Sequence, residues 1–320
     1  MDTSKTTNGI NSETKLMNKL IALSTLLASI ALCTPALAWN KAGHMVSGAI
    51  AYTELQAKSP QSVPRVIALL KKHPDYVSKW QTQLNTVPQG DRDLYLFMLA
   101  TRWADDARKT TEDRPTWHYV NFPFKLGSTA ITIPASPTSE ENILTALQQN
   151  RTLLAAPGTT PTKAIALTWI FHLVGDIHQP LHTTKAVSTQ FPLPEGDRGG
   201  TRYFIRAREG SSTISLHKYW DDLILGSARF QSVRNQAILL RQNADYQRGN
   251  LPELAETSFE KWGKVESYKL APQVYENLQG GTKTDGKVLP DGYADTAKTI
   301  AQRRIVLAGY RLAAYLKATF

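Results

Sequence analysis

The sequence predicts an all-α protein: one mainly helical domain with a single small β-hairpin. Three observations carry this. From Ala164 to Val174 almost every position is apolar on all sides, as in a helix at the buried centre of a domain. Several other segments repeat apolar residues at helical spacing, whereas only residues 201–216 alternate as a short hairpin would. No internal repeat or interdomain linker divides residues 39–320, and strand signals are too few for a large sheet.

Residues 1–38 read as an export signal and not as part of the fold. Lys15 and Lys19 precede the apolar run Leu20–Cys33, and Ala36-Leu37-Ala38 is a small-x-small cleavage site. The run is shorter than the roughly 20 residues that span a bilayer, so no stable membrane association is expected. Met17 is an alternative start, because Lys5 and the polar residues before it are unusual for such a signal. Leu32 before Cys33 argues against lipidation. Cleavage after Ala38 leaves 282 residues in a periplasmic or secreted protein, enough for one domain with a substantial core. The only cysteine leaves with the signal, so packing or metals must hold the domain. The net charge of +10 for the whole chain becomes +9, from 34 basic and 25 acidic residues. A polyanionic partner fits that balance, although a basic exported protein need not bind one.

Residues 39–58 open on a polar turn and run into a helix bearing Val46, Ile50 and Leu55. A short helix at residues 64–72 stops at His73-Pro74, where His73 reads as a surface terminator and not a ligand. In the helix at residues 93–109, at about 100° per residue, Asp105 falls between Leu94 and Met98 on the apolar face while Asp106 turns away. Asp105 therefore needs a partner. Residues 114–126 are extended or irregular around Pro115 and Pro123, with His118 among Trp117, Tyr119 and Phe122. A histidine in an aromatic segment is commonly structural; the need of Asp105 is what draws attention to this one. After a Ser/Thr/Pro-rich loop at residues 127–138, Ser139-Glu140-Glu141 opens a helix to about Leu154, and Pro157-Gly158 closes it.

Thr160-Pro161 starts the central helix, since a hydroxyl can take up a free amide and proline's fixed φ suits the first turn. Into its apolar length the sequence places His172 and Asp176, four apart on one face. Buried without partners they would cost several kcal/mol. A mutual hydrogen bond would answer part of that cost, and a dication would answer it fully, because His nitrogen and Asp oxygen are ordinary zinc ligands. Gly175 and Pro180 end or bend the helix and bring His182 round beside it. Beyond a turn-rich loop at residues 192–200 and the hairpin, His217 and Asp221 repeat the spacing of four and share a side with Ile224, while Asp222 lies opposite. Residues 258–278 and 293–316 read as core-building helices with solvated Lys and Arg faces and no chemistry. With His44, the ligand candidates Asp105, His118, His172, Asp176, His182, His217 and Asp221 take in five of the seven histidines. Such repeated pairing of imidazoles with inward carboxylates points to metal.

The pattern resembles the zinc-dependent S1/P1-type nucleases over essentially the whole chain after Ala38. It is carried by Trp39 with His44 five later, Trp103-Ala104-Asp105, His118-Tyr119, the run from His172 to His182, Gly199-Gly200, and Leu216-His217 with Trp220-Asp221. The resemblance implies a mainly α-helical domain of the zinc phospholipase C and zinc nuclease type with three zinc ions. It implies cleavage of single-stranded DNA and RNA to 5′-phosphate products, with 3′-nucleotidase activity on nucleotides. One zinc would sit on Asp105, His118, His172 and Asp176, a second on His182, His217 and Asp221, and a third on the Trp39 amine and carbonyl, His44 and a bridging Asp176. Asp105 would also act catalytically by orienting hydroxide, and His178 would be a non-ligand that supports one. Single-strand preference would come from stacking near the metals, for which Tyr119, Phe122 and Phe124 are nearest in sequence.

Three positions depart from the family pattern: Thr201 where Asn usually follows the paired glycines, Asp222 where an Asn often helps hold the phosphate, and Pro123 where an Asp is usual. The cysteines that staple fungal members are absent, which suits a bacterial-type branch. Two rivals are a zinc phospholipase C, which typically ends its ligand set on Glu where this chain has Asp221, and an exported zinc-storage protein without catalysis.

Overall fold

The computed structural model describes Met1, residues 39–127, Thr132 and residues 141–320. The expected export signal and most of the loop at residues 127–138 lie outside the described residues.

Helix α1 (Lys41–Lys58) begins where the Asn40 side chain accepts the Gly43 N–H at 2.9 Å, and it ends before Pro60. Helix α2 (Ser62–Leu70) follows, and α3 (Arg92–Asp106) carries Asp105 on its buried side, as the wheel predicts. Helix α4 (Ile143–Ala155) starts from a capping box in which the Asn142 side chain accepts the Leu144 and Thr145 amides. The expected opening residues Ser139 and Glu140 lie outside the described residues. Helix α5 (Thr160–Asp176) is capped by Thr159, one residue before the predicted start, and is buried on every side from Ala166 to Asp176. Around it lie α1, α3, α4 and the last helix, so its apolar circumference is used in full.

Among the described residues the remaining α-helices longer than four residues are α6 (Leu216–Asp221), α7 (Phe230–Gln242) and α8 (Tyr293–Thr319). Between α7 and α8 the expected continuous helix at residues 258–278 is broken. A turn at Phe259–Lys261 leads into a π-helix at Trp262–Ser267, then a 3₁₀ turn and a short helix at Ala271–Val274. The wide π turn brings Ser267 Oγ within 2.5 Å of the Ile177 carbonyl, just past the end of α5. Helix α8 also corrects its expected surface. Arg304 and Arg311 are buried; Glu266 pairs with both, and the carbonyls of Trp262, His178 and Glu253 accept further hydrogens, while Arg311 Nε has no partner.

Two small sheets complete the domain. Strands β1 (Phe122–Lys125) and β2 (Thr184–Val187) pair in parallel, with Phe122 opposite Thr184. The predicted hairpin is β3 (Phe204–Arg206) and β4 (Ile214–Ser215), antiparallel, and β5 (Lys287–Val288) adds a parallel third strand. All-α holds as the class, since these strands are few and short. Among the described residues no helix is long and apolar enough to cross a membrane.

Candidate metal centre

The C-terminal half of α5 sets the site. His172 and Asp176 project from one face of a fully buried helix, and three other elements bring partners to them. Helix α1 lies so close that a Cβ on Gly175 would come within 2.8 Å of His44 Nδ1; glycine is what lets the His44 ring reach Asp176. That ring stacks on His172, with centroids 3.9 Å apart. Helix α3 supplies Asp105, and the short turn Pro115–His118 supplies His118. The parallel β1–β2 pair then fixes the two loops to each other, through Val120 N–H to the His182 carbonyl at 2.7 Å and Phe122 N–H to the Thr183 carbonyl at 3.1 Å.

Three groups of ligand atoms result, each with its atoms within 4.8 Å of one another: His44, His172 and Asp176; Asp105, His118 and His172; and His182, His217 and Asp221. The two oxygens of Asp176 face different groups. Oδ1 lies 3.1 Å from His44 Nε2, and Oδ2 lies 3.0 Å from His118 Nδ1 and 3.1 Å from His172 Nε2. The first of these contacts lacks hydrogen-bond geometry, and both His44 nitrogens and Asp176 Oδ1 are buried without a partner. Asp105 Oδ2, His118 Nε2 and His182 Nε2 are in the same position. Buried lone pairs that converge without protons between them are costly, and a cation removes the cost.

Three of the imidazoles are anchored on their other side. His172 Nδ1–H donates to the Thr101 carbonyl at 2.8 Å, His182 Nδ1–H to His118 O at 2.6 Å, and His217 Nδ1–H to Gly199 O at 2.6 Å. Each bond selects the tautomer in which Nε2 carries the lone pair that a metal would take. Burial pushes the His182 imidazole down to about 4 and also lowers those of His44 and His118, so they present the neutral ligand form near pH 7. Burial alone would raise Asp176, but the surrounding imidazoles outweigh it and hold the carboxyl well below its usual range. At Asp221 burial wins, and the carboxyl is pushed well above that range. In the His182–His217–Asp221 group a bound dication would offset that penalty.

Every candidate side chain is buried, and the geometry also sorts the neighbours. His178 is no ligand: its Nδ1–H donates to Val174 O at 2.7 Å and its Nε2 accepts from Arg311 Nη1 at 2.8 Å. It braces α5 against α8 and does not touch a ligand side chain, which corrects the expected support role. Trp39 is buried, with its indole N–H donating to Gly175 O at 3.0 Å and the next amide, Asn40 N–H, donating to Asp221 O at 3.1 Å. Phe122 is a core residue set edge-on to Tyr268, while Phe124 is half-buried and stacks on Tyr275. Asp222 accepts from Asn40 Nδ2 at 2.9 Å and pairs with Lys218, tying the start of α1 to the end of α6. His73 is buried between Trp80 and Trp103, not at the surface, because the loop after α2 folds back over it.

Two functional neighbours escape sequence reading. Arg108, one turn after Asp105, holds Asp105 Oδ1 through Nε at 3.1 Å and Nη2 at 3.0 Å, which leaves Oδ2 directed into the cluster. Gln179 donates to Asp221 Oδ1 at 2.8 Å. The i,i+3 spacing of Asp105 and Arg108 was a usable signal; Gln179 reaches across 42 residues and left none.

Residues 39–320 match the S1/P1 Nuclease family. Among curated proteins the chain is 25% identical over 308 residues to Endonuclease 4 of Arabidopsis thaliana, an alignment covering 89% of this chain and 90% of that protein. It is 24% identical to Endonuclease 2 of the same plant over 298 residues, covering 88% and 90%, and 24% identical to its Endonuclease 1 over 303 residues, covering 88% and 87%. With buried His/Asp groups able to hold metal ions and a family match that spans the domain, the chain belongs to the S1/P1 nuclease family, metal-dependent hydrolases acting on phosphodiester bonds.

Proposed function

We propose that the protein is an exported, zinc-dependent endonuclease that cleaves single-stranded DNA and RNA to 5′-phosphate products and removes 3′-phosphates from nucleotides. One observation carries the reading: the two oxygens of Asp176 face separate imidazole groups, and Oδ1, both His44 nitrogens, Asp105 Oδ2, His118 Nε2 and His182 Nε2 are buried with no hydrogen-bond partner. Three zinc ions suit this arrangement. Asp105, His118, His172 and Asp176 would hold one, His182, His217 and Asp221 another, and His44, Asp176 and the main chain of Trp39 the third. Cysteine usage supports a bacterial-type branch, since Cys33 lies in the signal and the domain has none.

Zinc in such a site supplies Lewis acidity and brings the pKa of water from 15.7 toward about 7, so hydroxide is available near neutral pH. The chain's own part is orientation. Arg108 occupies Asp105 Oδ1, so Oδ2 is the atom left to bind zinc and to orient the attacking hydroxide. The anchored imidazoles keep their positions while charge builds on the phosphate, which is how a preorganised site lowers a barrier. Tyr119 and Phe124, both half-buried, would stack on unpaired bases, Phe124 through the face that Tyr275 leaves uncovered, and a paired base has no free face to offer them.

The test is metal analysis of protein cleaved after Ala38, with hydrolysis of single-stranded DNA, RNA and phosphatidylcholine followed through chelation and zinc return. Three zincs per chain, nucleic-acid hydrolysis lost on chelation and regained with zinc are expected. Undiminished digestion after exhaustive demetallation would overturn the reading, and hydrolysis of the lipid alone would transfer it to a phospholipase.

A further inference from the structure

The turn between β2 and β3 is wound in the left-handed region at four of five successive residues: Gly196 (φ 59°), Arg198 (φ 55°), Gly199 (φ 61°) and Gly200 (φ 81°). Glycine adopts such angles freely; Arg198 does so against the clash of its own Cβ. Winding of this kind turns successive N–H groups toward one side and makes a concavity that suits an anion. The anion is supplied from within. Asp197 is fully buried; its carboxylate takes the Ala186 N–H at 2.7 Å and the Tyr275 hydroxyl at 2.6 Å, and the Gly199 and Gly200 amides favour its charged form. Asp197 N–H returns a bond to Ala186 O at 2.9 Å, so turn and strand β2 are joined twice.

Each end of this junction carries a candidate ligand. Strand β2 starts two residues after His182, and the Gly199 carbonyl is the acceptor for His217 Nδ1–H at 2.6 Å. The Gly200 carbonyl also receives the His217 amide at 3.3 Å. We infer that Asp197 is a positioning residue for the His182–His217–Asp221 group: it holds the turn in the one shape that aims the Gly199 carbonyl at His217 and keeps that turn at a fixed distance from His182. The inference rests on the metal reading above. Asp197 touches none of the three ligands and acts only through Gly199 and β2. Burial pushes its carboxyl up to about 6, against the pull of all its donors, so it is held as a carboxylate at neutral pH by the turn it organises.

The test uses processed full-length protein, wild type and the variants Asp197→Asn and Tyr275→Phe, each checked for native circular dichroism. Zinc is withdrawn with a chromophoric competitor, and cobalt replacement reports each site by its visible spectrum. Asp197→Asn is expected to release one of three zincs about 10–100-fold more readily while the other two keep wild-type affinity. Tyr275→Phe removes one donor and no charge, and should weaken the same zinc by less. Excess zinc should restore kcat in both. A merely structural role would loosen all three ions together, and that result would overturn the inference. Retention of three zincs at wild-type affinity in both variants would do the same, and if Asp197→Asn fails to fold, Tyr275→Phe decides alone. Wild-type protein that takes up no zinc would bring down the metal reading itself, a distinct outcome.

Discussion

Gln179 Nε2–H donates to Asp221 Oδ1 at 2.8 Å, and both side chains are buried. Through Oε1 the same amide accepts the Leu181 N–H at 2.6 Å and so caps the turn Pro180–His182. One side chain therefore sets two ligands of one group, His182 through the turn and Asp221 directly. Gln179→Leu removes both bonds. Zinc affinity of the His182–His217–Asp221 group should fall about 10–100-fold, and stability by about 1–3 kcal/mol for the stranded Leu181 amide. Gln179→Glu keeps the acceptor for Leu181 but faces Asp221 with a second carboxylate, so its zinc loss should be the larger. A zinc titration of Gln179→Glu that overlays the wild-type curve would remove this role.

Trp39 is pinned from two sides, by its indole on Gly175 O and by the Asn40 amide on Asp221 O, so its main chain is held between the two ends of the cluster. If cleavage after Ala38 frees its amine, amine and carbonyl of one residue form a five-membered chelate. An α-amine with a pKa of about 8 gives up its proton to zinc readily. One added glycine before Trp39 takes the amine out of that ring. The expected result is two zincs per chain in place of three, read by elemental analysis, with reduced nuclease activity. A glycine-extended protein with three zincs and full activity would refute the role of Trp39.

What was legible in the sequence follows from what a helix repeats. The apolar circumference of α5, with His172 and Asp176 set into it, marks both the centre of the domain and its chemistry, and Asp105 is legible from its wheel position. Helix α7 is carried by Val233, Ala237 and Leu240 at helical spacing, a pattern diluted by Arg, Gln and Asn on the other faces. The β1–β2 pair joins residues about 60 positions apart, and no local pattern records a partner at that distance. Periodicity also shows which residues share a face without showing what that face meets. Arg304 and Arg311 look solvated on a wheel, and only the π segment that carries Glu266 to them makes them core residues.

His73 shows the same limit and has a measurable consequence. Its ring stacks on Trp80 at 4.6 Å and meets the edge of Trp103 at 4.7 Å, and Nδ1 accepts the Asp75 N–H at 3.0 Å. Burial pushes the imidazole down from 6.5 to about 4, with Asp75 pulling weakly the other way. Between those values the unfolded chain binds a proton that the folded chain refuses. Stability therefore rises with pH across this window and is lost as pH falls through it. A difference of that size corresponds to about 3 kcal/mol. His73→Phe keeps the stacking and binds no proton, so from pH 7 to pH 4 it should lose less stability than wild type by up to that amount. Urea unfolding of both proteins at several pH values measures it, and the histidines they share cancel in the difference. Parallel curves would show that His73 titrates normally.

Among the described residues Glu266 is the one carboxylate bonded to either buried guanidinium, receiving Arg304 Nη1 at 2.7 Å and Arg311 Nη1 and Nη2 at 2.7 and 2.6 Å. Burial pushes Arg304 down to about 10, still cationic at neutral pH. Two charges thus lean on one, with Arg311 also set over the Trp262 ring at 4.8 Å. Glu266→Gln leaves both cations without their counterion in a buried setting and should cost about 3–5 kcal/mol. Arg311→Met removes one cation, fills much of its volume, and leaves a one-to-one pair of Arg304 with Glu266, so it should cost less. In the double variant a single buried guanidinium replaces two, and the combined loss should fall short of the two separate losses by about 1 kcal/mol or more. Urea unfolding of the four proteins closes that cycle. Strict additivity would mean that Glu266 serves each arginine independently, and that the buried triad has no shared charge balance to lose.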